Sequence, residues 1–175
     1  MPTAKAAVAK SLSPRSSALS LARAPSIPPR RQADLAPAKR ISIVLRRGML
    51  QREYRQVEAQ LDARNLTRHP IVFGHKKATL AEAGPLCGLI VTGGEGIPSA
   101  DERSMIVEAV SHAMERATPV LALSDAAEIV LEAAGLKGPK GASCGVLIDG
   151  RDVRALGAPK DVDAAIKFMA EAPMR

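Results

Sequence analysis

Thr118 to Gly135, TPVLALSDAAEIVLEAAG, decides how the rest of this chain is read. It opens with a short continuous apolar run, Val120–Leu123, of the kind buried on both faces of a parallel sheet. The run breaks at Ser124 and Asp125 and gives way to apolar residues at helical spacing, Ala127, Val130, Leu131 and Ala134, before Gly135. An earlier stretch, Leu86 to Gly96 (LCGLIVTGGEG), repeats the plan, with Leu89–Val91 running into Gly93-Gly94-Glu95-Gly96. Between Ala122 and Ala126 the order is small, Leu, Ser, Asp, small. A sharp strand-to-helix turn that lifts a nucleophile needs small residues two positions either side, because the backbones crowd there. Ser124 stands at the nucleophile position of such a turn.

Working outward, Ile41–Leu45 reads as the first strand. Met49 to Asn65 follows as a helix with Leu50, Tyr54, Val57 and Leu61 on one face and Arg, Gln and Glu opposite. Pro70–Phe73 reads as a second strand, Lys76 to Gly84 as one or two helical turns, and Leu86–Thr92 as the third strand. Ser99 with Glu102 forms a capping box that opens a helix to about Ala117; Asp125 with Glu128 is box-like ahead of the next one. Gly145–Ile148, Asp149-Gly150 and Asp152–Leu156 read as a hairpin, with Asp-Gly supplying both positive-φ positions of a type I′ turn. Pro159 to Ala172 makes the last helix. Strand and helix in alternation predict a flavodoxin-like three-layer α/β sandwich with a mostly parallel sheet, plus a C-terminal hairpin and helix. Ligands in such sheets sit at the carboxyl ends of the strands, where both turns would lie.

The chain has 175 residues and a net charge of +7. Residues 1–40 hold eight Lys/Arg and one acid, Asp34, whereas residues 41–175 hold 17 of each sign. The excess therefore lies in a leading segment rich in Ala, Ser, Pro and Arg, and residues 1–39 are expected to be a disordered basic tail ahead of a neutral domain, 40–175. Such a tail can bind an acidic protein or another polyanion. Aromatic content of 2% leaves it nothing to stack on bases. Its composition also describes a mitochondrial transit peptide, although Pro14 interrupts the required helix; the expectation is a cytoplasmic protein, with the mitochondrial matrix as alternative. Cys87 and Cys144 are far apart with no C-x-x-C, and read as buried reduced thiols. His69, His75 and His112 are scattered, so neither a metal site nor a cofactor is expected. No apolar run approaches the ~20 residues of a membrane span.

GLIVTGGEG, the helix after it and TPVLALSDAAEIVLEAAG together resemble class I glutamine amidotransferase domains, most closely the glutaminase part of CTP synthase. The resemblance covers about residues 41–135. It implies that the glycine turn at Gly93, Gly94 and Gly96, with Asp125, forms an oxyanion or ligand loop, and that Ser124 occupies the place of the nucleophilic cysteine. Ala122 and Ala126 stand where the family's elbow has glycines. No histidine follows Ser124, so the family's H-x-E pair has no counterpart. The reading is a degenerate, non-hydrolytic domain acting as a binding or regulatory module, for a glutamine-like small molecule and with homo-oligomerisation open to it. Two alternatives stand beside it: a serine-nucleophile hydrolase or amidotransferase using Ser124, and a scaffold docking an acidic partner through its tail. Simpler roles exist for the same residues. Ser124, Asp125 and Glu128 suit helix N-cap chemistry, the glycine loop could cradle a phosphate, His112 suits a solvated or interfacial position, and Arg46-Arg47 a solvated face or a cleft wall.

Overall fold

The computed structural model describes residues 38–72 and 80–175; the leading segment and His75 lie outside them. Six strands form one sheet: β1 (Arg40–Leu45), β2 (Thr67–Val72), β3 (Gly88–Val91), β4 (Val120–Leu123), β5 (Gly145–Asp149) and β6 (Asp152–Leu156), in the order β2-β1-β3-β4-β5-β6. The first four are mutually parallel, β5 returns antiparallel to β4, and β6 runs antiparallel to β5. Among the described residues, four α-helices cover it: α1 (Gln51–Ala63), α2 (Ala100–Glu115), α3 (Ala126–Ala133) and α4 (Pro159–Glu171). This is the three-layer, mostly parallel sandwich expected from the alternating pattern.

Side-chain alternation along the strands sorts the core into two layers. Val44, Leu89, Val91, Val120, Ala122, Val146 and Ile148 pack with Ile106, Val110, Ile129 and Val130 of α2 and α3. Ile41, Ile43, Ile90, Leu121, Leu123 and Leu147 pack with Val57 and Leu61 of α1 and Ile166 and Met169 of α4. Every residue of β3 and β4 is buried, which is why both read as unbroken apolar runs. The β4–β5 approach is close enough to require glycine at 145, where a Cβ would stand 2.1 Å from the Ala122 carbonyl oxygen.

Four local expectations need correction. β2 begins at Thr67, earlier than Pro70; it is an edge strand opening on exposed Thr67 and half-buried Arg68 and His69, and at an edge the N–H that Pro70 lacks is not needed. The hairpin turn is Gly150-Arg151, with Asp149 paired to Asp152, and of these four only Gly150 has positive φ (+62°), as a type II′ turn requires rather than I′. Ser99 does cap α2, its hydroxyl accepting from the Glu102 N–H at 3.2 Å, but the Glu102 carboxylate does not complete the box. It is drawn instead into the ion pair described below. Cys144 is half-buried rather than buried; Cys87 is wholly buried, and burial raises its thiol pKa.

Among the described residues no helix is long and apolar enough to cross a membrane, and no group of His, Cys, Asp or Glu could hold a metal ion.

Candidate functional site

The carboxyl ends of β1, β3 and β4 bring three loops together. Arg46 and Arg47 follow β1, Gly93 to Gly96 follow β3, and Ser124 follows β4. The first two loops are pinned to each other, the Glu95 N–H donating to the Gly48 carbonyl at 2.9 Å. Gly94 is needed there for close approach, since a Cβ would lie 2.8 Å from the Arg47 carbonyl oxygen.

Ser124 has φ +46°, in the left-handed region that a side chain enters only at a cost of roughly 1–3 kcal/mol. Its N–H donates to the Cys144 carbonyl at 3.0 Å and its carbonyl accepts from the Ala127 N–H at 3.2 Å, so the turn is held from both sides. Ala122 and Ala126 are fully buried on either flank, where anything larger would crowd the turn. The strained elbow expected from the small-Leu-Ser-Asp-small order is therefore formed.

The Ser124 hydroxyl does not cap α3. It donates to the Glu53 carboxylate, from the first turn of α1. The second Glu53 oxygen is buried without a partner among the described residues. It faces Gly93: a Cβ there would stand 3.0 Å from it, 3.1 Å from the Ser124 Cβ and 3.2 Å from an Asp125 carboxylate oxygen. Serine, glutamate and the bare glycine backbone thus converge on one point. Glu53 was invisible to the sequence reading, which placed it on the polar face of its helix. Its only signal is position, one turn inside a helix that starts at the carboxyl end of β1.

Asp125 follows Ser124 and also makes no capping hydrogen bond. One carboxylate oxygen accepts from the Gly94 N–H at 3.0 Å and the other from Arg46 Nη1 at 2.5 Å. The Gly94 N–H, expected as an oxyanion donor, is therefore already engaged within the protein. Arg46 is buried, not a solvated face; its Nε lies 3.4 Å from the equally buried Glu102 and its Nη2 donates to the Gly96 carbonyl at 3.2 Å. Glu102 also accepts from the Arg47 N–H at 3.1 Å. One guanidinium and two carboxylates thereby lock the elbow, the glycine loop and the start of α2 together. Arg46, the buried cation at the loop, is already paired with Glu102 and Asp125, which does not suit a phosphate cradle.

No described imidazole joins the site. His69 lies mid-strand in the edge strand β2. His112 is twelve residues into α2, about 18 Å of helical rise from its start near the glycine loop. Both rings have a buried Nε2 without a partner among the described residues. Beside the elbow, between the first turns of α1 and α4, lies a cavity of about 360 Å³ bordered by Glu53, Leu123 and Cys144.

No family model matches the chain, and no curated protein matches it in sequence. Solved structures do match. Drosophila melanogaster DJ-1beta superposes with a TM-score of 0.52 at 13% identity, over 77% of this chain and 90% of that one. The Bacteroides thetaiotaomicron protein named “putative protease I” gives a TM-score of 0.52 at 12% identity, over 75% and 95%. At such identities the likeness is one of fold. That fold is the flavodoxin-like α/β sandwich expected from the sequence.

Proposed function

We propose that this chain is a non-hydrolytic ligand-binding module built on the class I glutamine amidotransferase-like fold, with its site at the Ser124 elbow. The observation that carries the reading is the partner of the Ser124 hydroxyl: a carboxylate, Glu53, and not an imidazole. A carboxylate is a far weaker base than imidazole near neutral pH, and it does not hand a proton to a departing amine efficiently. The engaged Gly94 N–H supports the same reading, because a tetrahedral oxyanion would have to compete with Asp125 for it. What remains suits recognition. A strained serine and a carboxylate with one oxygen unpartnered among the described residues offer acceptors to a small polar ligand at the edge of the cavity. The closer likeness to the CTP synthase glutaminase domain rests on the two sequence stretches, and with it the choice of a glutamine-like amide as ligand.

The elbow itself favours a second reading, a hydrolase that uses Ser124 as nucleophile. Steady-state assays with glutamine and with p-nitrophenyl acetate separate the two. Ser124→Cys adds a second readout, since a thiol at this turn should alkylate faster than Cys87 or Cys144 while glutamine turnover stays at background. Turnover by the native protein that Ser124→Ala abolishes would replace the binding-module reading with the hydrolase.

A further inference from the structure

The cavity beside the elbow has a chemistry of its own. Its floor is apolar, formed by Leu123 and Val162, 2% and 5% exposed, with Pro159. Cys144 brings a half-buried thiol to one wall. The polar groups come from α1, and two of the three are occupied. Gln56 donates to the Pro159 carbonyl at 3.1 Å and to Asp163 at 3.2 Å, tying α1 to α4 across the cavity, and Glu53 accepts from Ser124. The third, Arg52, is exposed and makes no hydrogen bond or ion pair among the described residues.

Resting on the elbow as a ligand site, we propose that this cavity takes a small aliphatic carboxylic acid, its carboxylate on Arg52 and its hydrocarbon over Leu123 and Val162. Volume limits the size. At about 30 Å³ per water the cavity holds roughly a dozen waters, which corresponds to a ligand of about ten heavy atoms at the small end of ligand pockets. Charge sets the headgroup and the orientation. Arg52 offers a planar cation able to bind a carboxylate through two N–H groups, whereas Glu53 repels an acid from the elbow end. The acid group is thus held at the exposed guanidinium, and the chain lies inward against the side chains of Leu123, Val162 and Pro159.

Cys144 provides a built-in reporter, because a ligand in the cavity shields its thiol, and the buried Cys87 serves as internal control. The rate of Cys144 alkylation by iodoacetamide is measured on the full chain with hexanoate, hexanamide and hexylammonium, in native protein and in Arg52→Gln, an exposed substitution that leaves the core intact. Saturation-transfer NMR on the same three compounds reads binding independently of thiol reactivity. Hexanoate should slow alkylation, hexanamide should need about tenfold more for equal protection, hexylammonium should not protect, and Arg52→Gln should erase the advantage of the acid. Equal binding of acid and amide, undiminished hexanoate binding in Arg52→Gln, or no binding of hexanoate by either method would overturn the proposal. Hydrolysis of p-nitrophenyl hexanoate is followed in parallel. Ser124-dependent turnover with hexanoate still bound would overturn the non-hydrolytic reading alone, whereas absence of both binding and turnover would overturn the ligand class alone.

Discussion

Arg46→Met tests whether the buried ion network holds the elbow. The side chains of Arg46 and Glu102 are 1% and 4% exposed, so their interaction is barely screened by solvent. Methionine fills much of the arginine stem's volume but removes the charge. Glu102 then stays buried with the Arg47 N–H as its remaining hydrogen-bond donor from this network, and Asp125 and the Gly96 carbonyl each lose a donor. Removing one member of a buried pair costs about 3–5 kcal/mol, most of it the uncompensated charge of the other. For a domain of this size that is a fall in Tm of roughly 10–15 °C. The Asp125 arm contributes less, because its side chain is 45% exposed. Asp125→Asn, which keeps an acceptor for the Gly94 N–H, should cost about 1 kcal/mol. The decisive variant is Arg46→Met with Glu102→Gln. Glutamine removes the stranded charge and retains an oxygen for the Arg47 N–H, so the double variant should recover about 2 kcal/mol relative to Arg46→Met. Urea unfolding followed by far-UV circular dichroism measures the native protein and the three variants. A loss below about 1 kcal/mol in Arg46→Met, or a double variant no more stable than the single one, would refute the reasoning.

Two further outcomes follow from the core. Val91→Asp and Leu121→Asp each place a charge at a fully buried strand position, one in each core layer, and should give insoluble protein; soluble variants with a cooperative melt would contradict the two-layer packing. Burial raises the Cys87 thiol pKa in the folded chain, so above the ordinary value of 9.0 the unfolded chain loses this proton first. The contribution is fully present below that value and is lost as pH rises toward the folded pKa; Cys87→Ala should flatten the alkaline fall in stability, and an unchanged slope between native and variant would show that Cys87 is not its source.

The sheet was legible because its cause is local. Continuous burial of β3 and β4 writes itself as Leu89–Val91 and Val120–Leu123, the helices show their buried faces by spacing, and the crowding at the elbow shows as Ala122 and Ala126 around Ser124. Turn register and edge strands were less legible, since a polar edge such as Thr67 to His69 carries no alternation, and pairing alone decides whether Asp149 or Arg151 enters the turn. The partners of the charged groups were not legible at all. Asp125, Glu102 and Ser124 each have a plausible neighbour within three residues, and local chemistry assigns them to helix caps. In the fold, Asp125 meets Arg46 from 79 positions away, Glu102 meets it from 56, and Ser124 meets Glu53 from 71. Periodicity records which face of an element is buried, and it is blind to a charge that is buried because another element neutralises it. The sequence by itself therefore determined the layers and the place of the elbow. Only the tertiary structure, by bringing the ends of three parallel strands and the first turn of α1 together, decided that the Ser124 hydroxyl faces a carboxylate.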